Sequence, residues 1–185
     1  DSLEVFKKKK LDVLFLTDPI DTFWLSMAGE FQDRKFVSIT KGDIDLTAFS
    51  DEKKEKEKKP PAGMKNLVEK IKEILGESVQ DVKVSTKLVD SACCLVAPDT
   101  GMDVQMERIM KIQNKDFKGM PRILEINPDH NIIKKLNKIK DTDKDALNDA
   151  SFLLFDQAKM VEGELPNDIA KFNQRMSKFL GIALS

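Results

Sequence analysis

Strand patterns and helix patterns alternate along residues 64–139, and this alternation constrains the fold more than any other feature of the sequence. Apolar residues recur at helical spacing from Met64 to Leu75. Apolar and polar residues then alternate over Val82–Leu88, which is the period of a half-buried strand, and Ala92–Ala97 and Ile123–Ile126 are typical of two further strands. The sequence therefore predicts an α+β fold with a small three-stranded sheet interleaved with helices.

Capping residues predict where the later helices begin. Asn127-Pro128 is suited to cap and start a helix that ends near Ile139. Thr142 is a suitable N-cap for the next helix, and Asn167 or Asp168 for the last one. We expect the final third of the chain to be entirely helical.

The N-terminal part has the pattern of an incomplete α/β layer. Asp12–Asp18 is an apolar run of strand length closed by Pro19, a short helix is expected over Asp21–Ala28, and a second strand over Lys35–Thr40. Asp18 and Asp21 suit turn and capping bonds better than an acid–base dyad. Two strands and one helix cannot enclose a core, so we interpret residues 1–49 as a remnant of a larger domain.

A mixed-charge run with a double proline at its end separates this segment from the rest. Such a composition is typical of a linker or a solvated helix because it has nothing to bury. The predicted organisation is therefore residues 1–49, a charged linker at 50–62, and a second domain at 63–185.

Four apolar side chains at helical spacing follow the second predicted strand: Met102, Met106, Ile109 and Met110. Spacing alone favours core packing for this stripe over a binding surface. Methionine side chains are flexible and polarizable, however, and adapt to varied partners, so the residues leave both interpretations open.

The last two predicted helices carry more apolar surface than one hairpin packed on a small sheet can bury. Phe152–Phe155 alone places apolar groups all round its helix. The surplus indicates a second copy of the chain, with the two hairpins forming an intermolecular four-helix bundle. The residues predicted to line that interface are Leu147, Leu154, Phe155, Ala158, Phe172, Met176, Phe179 and Leu180.

Several functions are disfavoured by composition. Thirty-one basic and 32 acidic residues give a net charge of -1, so no overall field attracts nucleic acid or an anionic membrane. Glycine-rich phosphate loops are absent, and one histidine with two adjacent cysteines cannot form a zinc site. We expect no catalytic, cofactor or metal site in this chain, no membrane span, and a reducing cytoplasm as its location.

Two alternatives remain from other classes of protein. A nucleic-acid-binding protein could use Lys7–Lys10 and the lysines of the linker, although a solvated helix end is the simpler interpretation of the lysine run and no aromatic residues are interleaved with it. A small α/β hydrolase is weaker, because His130 suits a helix entry and no nucleophile–base pair can be named.

Three motifs resemble the C-terminal domain of the heat-shock protein 90 chaperones: Leu88–Val96, Met106–Lys111 and Leu124–His130. The upstream run Leu14–Asp21 is similar to the end of that family's middle domain. The motifs occur in the family's order over nearly the whole chain.

This resemblance implies a homodimeric, ATP-driven chaperone that assists protein folding, with its C-terminal helices joining the two protomers. It implies contact with unfolded clients for Met102, Met106, Ile109 and Met110, and for Phe23 and Trp24 beside them. ATP and magnesium would belong to the full-length protein and not to this fragment, which is therefore no enzyme by itself.

Two features indicate the bacterial form of the family. The chain ends in Gly181–Ser185 without the acidic tail that recruits tetratricopeptide co-chaperones, and the connection from Lys115 to Arg122 is short. We therefore expect a cytoplasmic protein with no such co-chaperone.

Overall fold

The computed structural model describes residues 3–40, 61–98, 104–114 and 119–184. The predicted linker at 50–62 lies almost wholly outside these residues. The helices are α1 (Glu4–Lys8), α2 (Pro19–Ala28), α3 (Met64–Leu75), α4 (Val104–Gln113), α5 (Asn131–Ile139), α6 (Lys144–Val161) and α7 (Ile169–Ala183). The strands are β1 (Glu30–Phe31), β2 (Arg34–Lys35), β3 (Val79–Val84), β4 (Cys93–Val96) and β5 (Arg122–Ile126).

A three-stranded sheet in the order β3-β5-β4 forms the centre of the C-terminal part. β5 runs parallel to β3, with Val82 opposite Leu124, and antiparallel to β4, with Leu95 opposite the same Leu124. All five residues of β5 are buried, as expected for a central strand. The predicted α+β fold with a small three-stranded sheet is confirmed.

The main core lies between one face of this sheet and helices α3, α5 and α6. Met64, Leu67 and Ile71 of α3 are buried there, so the helical spacing predicted for this segment is confirmed. Cys93 belongs to this core, whereas Cys94 lies in a smaller apolar cluster on the opposite face. Adjacent strand residues point to opposite faces, and both thiols are free.

β3 ends four residues earlier than the predicted strand over Val82–Leu88. The Ser85 hydroxyl oxygen accepts hydrogen bonds from the backbone N–H groups of Lys87 and Leu88, and this local turn replaces the continuation of the ladder. The predicted alternation also placed Lys87 on an exposed face. That prediction is wrong, because Lys87 turns inward and is buried.

Two predicted helix starts are displaced. α5 begins after His130 and not at Asn127-Pro128, because the His130 Nδ1 atom accepts the Ile132 N–H while Asn127 bonds to another loop. α6 is capped by Asp143 and not by Thr142, whose hydroxyl donates to the Ile139 carbonyl. Of the two caps predicted for α7, Asn167 and Asp168, the structure has Asp168.

The N-terminal segment contains the predicted helix but not the predicted strands. Asp18 caps α2, and Asp21 completes a reciprocal capping box, so the capping interpretation of these two carboxylates is confirmed. The run before Pro19 is irregular, because no strand among the described residues pairs with it. The strand expected over Lys35–Thr40 is also absent beyond Lys35, since β1 and β2 pair over only two residues each.

Candidate protein-interaction surfaces

The last two helices form an antiparallel hairpin held by a defined polar and aromatic contact. The Arg175 guanidinium lies 4.3 Å from the centre of the Phe152 ring, and its Nε lies 3.5 Å from Asp149 Oδ1. Lys178 Nζ donates to Asp149 Oδ2 over 2.6 Å. This hydrogen bond from Lys178 holds the pKa of Asp149 below its usual value, despite partial burial that acts to raise it. These contacts fix α7 on α6.

The remainder of α7 is not covered by its own chain. Phe172 and Phe179 are half-buried, Phe179 against the main core, but no residue of α7 is fully buried. At helical spacing, Ile169, Met176 and Leu180 form a second stripe beside the face that packs on α6. All three are exposed, Leu180 by 54%. We call these three residues the α7 stripe.

The structure divides the eight residues predicted for a shared interface into two groups. Leu147, Leu154, Phe155 and Ala158 are buried in the core of their own chain. Phe172, Met176, Phe179 and Leu180 all lie on α7 and retain exposed surface. The interface role of these residues stays a prediction, and the surface accessible to a partner belongs to α7.

Helices α2 and α4 form a second apolar surface. These helices are in contact, although their first residues lie 85 positions apart in the chain. Phe23 and Trp24 are half exposed on α2, and the Trp24 ring packs edge-on against Phe36 with 5.7 Å between ring centres. The structure therefore places the two predicted aromatic residues on the helix beside the methionine helix.

The four predicted residues of the methionine helix are described only in part. Met102 lies outside the described residues, as does the side chain of Met106. Ile109 and Met110 are half-buried. Each of these two side chains is partly covered by the protein and partly exposed to solvent. Their burial is therefore intermediate between that of a core residue and that of a residue on a binding surface.

Ionic contacts attach α4 to the sheet and to the α6–α7 connection. Arg122, the first residue of β5, places Nη2 3.6 Å from Glu107 Oε1 of α4. The same Nη2 lies 2.7 Å from Glu164 Oε1, which belongs to the connection between α6 and α7. Arg122 and Glu107 are both buried, so water competes weakly for this contact. Arg122 therefore links α4 to the start of β5 and is itself bound by the α6–α7 connection.

Several exposed apolar residues near these helices were missed by the sequence analysis. Ile112 of α4 is 81% exposed. Ile112 lies outside the stripe defined by the spacing of the methionines. The only sign of its exposure in the sequence was an isoleucine on the otherwise polar side of the helix. Leu14 and Phe15 were interpreted as a buried strand, yet they are 78% and 71% exposed. No local signal separates a buried apolar run from an exposed one.

The two cysteines and the histidine that were considered for catalysis occupy structural positions. Burial raises the pKa of both cysteine thiols to about 12, which suppresses the reactive thiolate, and Cys93 Sγ donates to the Leu154 carbonyl. His130 acts as an N-cap, in agreement with the helix-entry role predicted for it. Lys7 and Lys8 lie in the last turn of α1, in agreement with the interpretation of the lysine run as a helix end.

Two kinds of feature are absent from the described ranges. None of the helices within them is both long and apolar enough to cross a membrane. Within the same ranges, no three histidine, cysteine, aspartate or glutamate side chains are grouped as metal ligands would be. The distinctive features of the described chain are its two exposed apolar surfaces, which are typical of proteins that bind other proteins.

Comparison with known proteins defines the family. The family model described as Hsp90 protein matches residues 1–185. The proteins named Chaperone protein HtpG from Burkholderia ambifaria and Burkholderia cenocepacia are each 40% identical to this chain over 178 residues. Each alignment covers 96% of the chain and 28% of the relative, so the chain spans little more than a quarter of these curated proteins.

The described residues thus form an α+β module with two exposed apolar surfaces. The chain belongs to the Hsp90 protein family, and the resemblance found in its sequence motifs is confirmed.

Proposed function

We propose that this chain is the dimerisation and client-contact region of an ATP-dependent chaperone that assists protein folding. In this proposal the chain itself is no enzyme and binds no cofactor. ATP and magnesium are bound elsewhere in a longer protein, which acts in the cytoplasm. The observation that supports the proposal most directly is that α7 has no buried residue although it carries large apolar side chains.

Dimerisation would cover the α7 stripe. A helix that is fixed to its neighbour by Asp149 and Arg175, yet leaves a parallel row of apolar groups in water, lacks a packing partner on that side. A second copy would supply the same row through a two-fold axis and complete a four-helix bundle. The buried residues of α6 would then act as the platform beneath the interface.

The dimer is tested with the 185-residue chain by sedimentation equilibrium or light scattering. We expect twice the monomer mass of 21.0 kDa. Leu180→Asp should give a monomer, because full burial of a leucine is worth about 1.5–3 kcal/mol and this residue has half of that left to gain in each copy. The loss of apolar burial alone is then about 2 kcal/mol per dimer, or about 30-fold in the dissociation constant, before the cost of the charges.

Gln174→Asp is the matched control for this variant. It adds the same charge to the same helix, but on the side away from the α7 stripe, where Gln174 is exposed. This variant should remain a dimer. A parent chain that is monomeric at micromolar concentration would contradict the dimer proposal, and equal masses for Leu180→Asp and the parent would move the interface away from α7.

Client contact is assigned to the surface formed by α2 and α4. Trp24, Met110 and Ile112 offer an aromatic ring, a flexible thioether and an exposed branched side chain on two adjacent helices. A surface of this composition can follow the varied shapes of partly folded chains without a fixed sequence requirement. Apolar segments of such chains are the expected ligands.

The client surface is tested by the ability of the chain to suppress the aggregation of a heat-denatured model protein, followed by light scattering. Trp24→Ser and Ile112→Ser should weaken suppression and leave the mass of the chain unchanged. Ile132→Ser is the matched control, because Ile132 is an exposed isoleucine on α5, and it should behave as the parent. If all three variants suppress aggregation equally well, the assignment of clients to α2 and α4 is wrong.

A further inference from the structure

A single carboxylate joins the N-terminal segment to the sheet domain. Glu4 Oε2 accepts hydrogen bonds from three consecutive backbone N–H groups, at 2.7 Å from Val89, 2.8 Å from Asp90 and 3.2 Å from Ser91. Its Oε1 atom accepts a hydrogen bond from the Ser91 hydroxyl. Four donors that converge on one carboxylate form an anion-binding concavity of the kind that successive backbone N–H groups make in a turn.

The opposite side of the same loop is fixed from the interior. Asn127 is buried, and its Nδ2 donates to the carbonyl oxygens of Val89 and Ser91 over 3.1 and 3.0 Å. The carbonyl groups of the loop are thus used on the inner side, which leaves the N–H groups directed to Glu4. The donors are therefore arranged by the sheet domain itself, through the residue that follows β5.

Two apolar side chains beside Glu4 are buried as well. Val5 and Phe6, which follow Glu4 in α1, are both buried. Within the described part of the chain the donors to Glu4 are backbone N–H groups and one hydroxyl, and Glu4 takes part in no ion pair there. A site made of dipoles without a cationic side chain suits a monovalent carboxylate.

We propose that the loop Val89–Ser91 is a carboxylate-binding site, that Glu4 is its resident ligand, and that this site is the joint that holds α1 against the sheet domain. The α1 helix is attached through the site, and the lysine run Lys7–Lys10 begins in the last turn of this helix. Loss of the carboxylate would release the segment and leave the sheet intact. The pKa of Glu4 is consistent with this role: partial burial acts to raise it, but the hydrogen bonds from Ser91, Val89 and Asp90 outweigh burial and lower it to about 2.

The joint is tested in the 185-residue chain with Glu4→Gln, which keeps the shape of the side chain and removes its charge. Amide hydrogen exchange at Val89, Asp90 and Ser91 should accelerate by about tenfold or more, as expected when charge-assisted hydrogen bonds are lost. Trypsin cleavage within Lys7–Lys10 should accelerate as well, because protease sites become accessible when a segment detaches. Exchange in β5 should not change.

Glu73→Gln is the matched control, since Glu73 is an exposed glutamate on α3 and its substitution removes the same charge. It should leave both readouts at the parent values. Ser91→Ala removes one donor from the other side of the contact and should produce a smaller acceleration of the same amides. The proposal is overturned if Glu4→Gln leaves the three amides as protected as in the parent. It is also overturned if protection in β5 collapses together with them, because Glu4 would then be required for the whole fold and not for a local joint.

Discussion

Removal of one partner from the buried pair of Lys87 and Glu125 should cost far more stability than the distance between the two groups suggests. Lys87 Nζ lies 3.4 Å from Glu125 Oε1, and the two side chains are only 1% and 2% exposed. The Ser85 hydroxyl donates to the other carboxylate oxygen over 2.7 Å. Lys87→Met keeps the approximate volume of the side chain but leaves the buried Glu125 carboxylate with the Ser85 hydroxyl in place of its cation.

Removal of one partner from a buried ion pair costs about 3–5 kcal/mol, because the remaining charge is uncompensated. The retained bond from Ser85 places Lys87→Met near the lower end of that range. Native proteins unfold with a free energy of about 5–15 kcal/mol, so the loss of about 3 kcal/mol is a large fraction of the free energy of unfolding. With an m-value of about 2 kcal/mol per molar urea, the unfolding midpoint should fall by about 1.5 M or more, as measured by circular dichroism.

Two further variants distinguish this reasoning from a general effect of losing a lysine. Lys72 and Asp81 form a shorter ion pair, at 2.8 Å, but their side chains are 50% and 35% exposed. Lys72→Met should therefore cost no more than about 1 kcal/mol. Lys87→Met combined with Glu125→Leu removes both buried charges and should recover most of the lost stability, less about 1 kcal/mol for the Ser85 hydroxyl that loses its acceptor.

The reasoning is refuted if Lys87→Met and Lys72→Met lower the free energy of unfolding equally. It is equally refuted if the double variant is less stable than Lys87→Met alone, because the penalty would then not come from the isolated carboxylate.

Three other predictions follow from named contacts. Cys93 and Cys94 should resist alkylation by iodoacetamide at pH 8 in the native chain and react only in urea, because their pKa values of about 12 and their burial suppress the thiolate; rapid native labelling would contradict this placement. His130→Ala should lower the free energy of unfolding by about 1 kcal/mol, because the Ile132 N–H loses its cap. His130→Asn should keep the stability of the parent, because asparagine can cap the same N–H, and urea titration measures both values. Attachment of α1 should be complete above pH 4.5 and should be lost as the pH falls from there toward 2, because the pKa of Glu4 is about 2 in the folded state and 4.5 in the unfolded chain. Amide exchange at Ser91 that does not change over this pH range would refute the assignment.

Local elements were predictable where the determining residues lie within a few positions of one another. The spacing of Met64, Leu67 and Ile71 defined α3, and Asp168 marked the start of α7, because helical period and N-cap bonds are local. The alternation of the two cysteines between faces followed from strand geometry. Errors occurred where two neighbouring residues could both act as the cap, as at Thr142 and Asp143.

The candidate surfaces were predictable as apolar patterns but not as surfaces. The sequence indicated an excess of apolar residues in the last two helices and an apolar stripe in α4. It could not show that Leu154 and Phe155 are covered by their own sheet while Leu180 is not. It also could not show that Phe23 and Trp24 lie on a helix in contact with α4, since that contact connects residues far apart in the chain.

The sequence by itself determined most of the helices, the three strands of the main sheet, the family of the protein and the surplus of apolar groups, because periodicity, capping and motif order are properties of adjacent residues. The tertiary structure alone decided that Lys87 is buried, that Glu4 is bound by a loop more than 80 positions away, and that the exposed stripe belongs to α7 and not to α6. Burial and hydrogen-bond partners depend on which distant segments meet. A side chain of a given type is stable in water or in a core according to those neighbours and not according to its own identity.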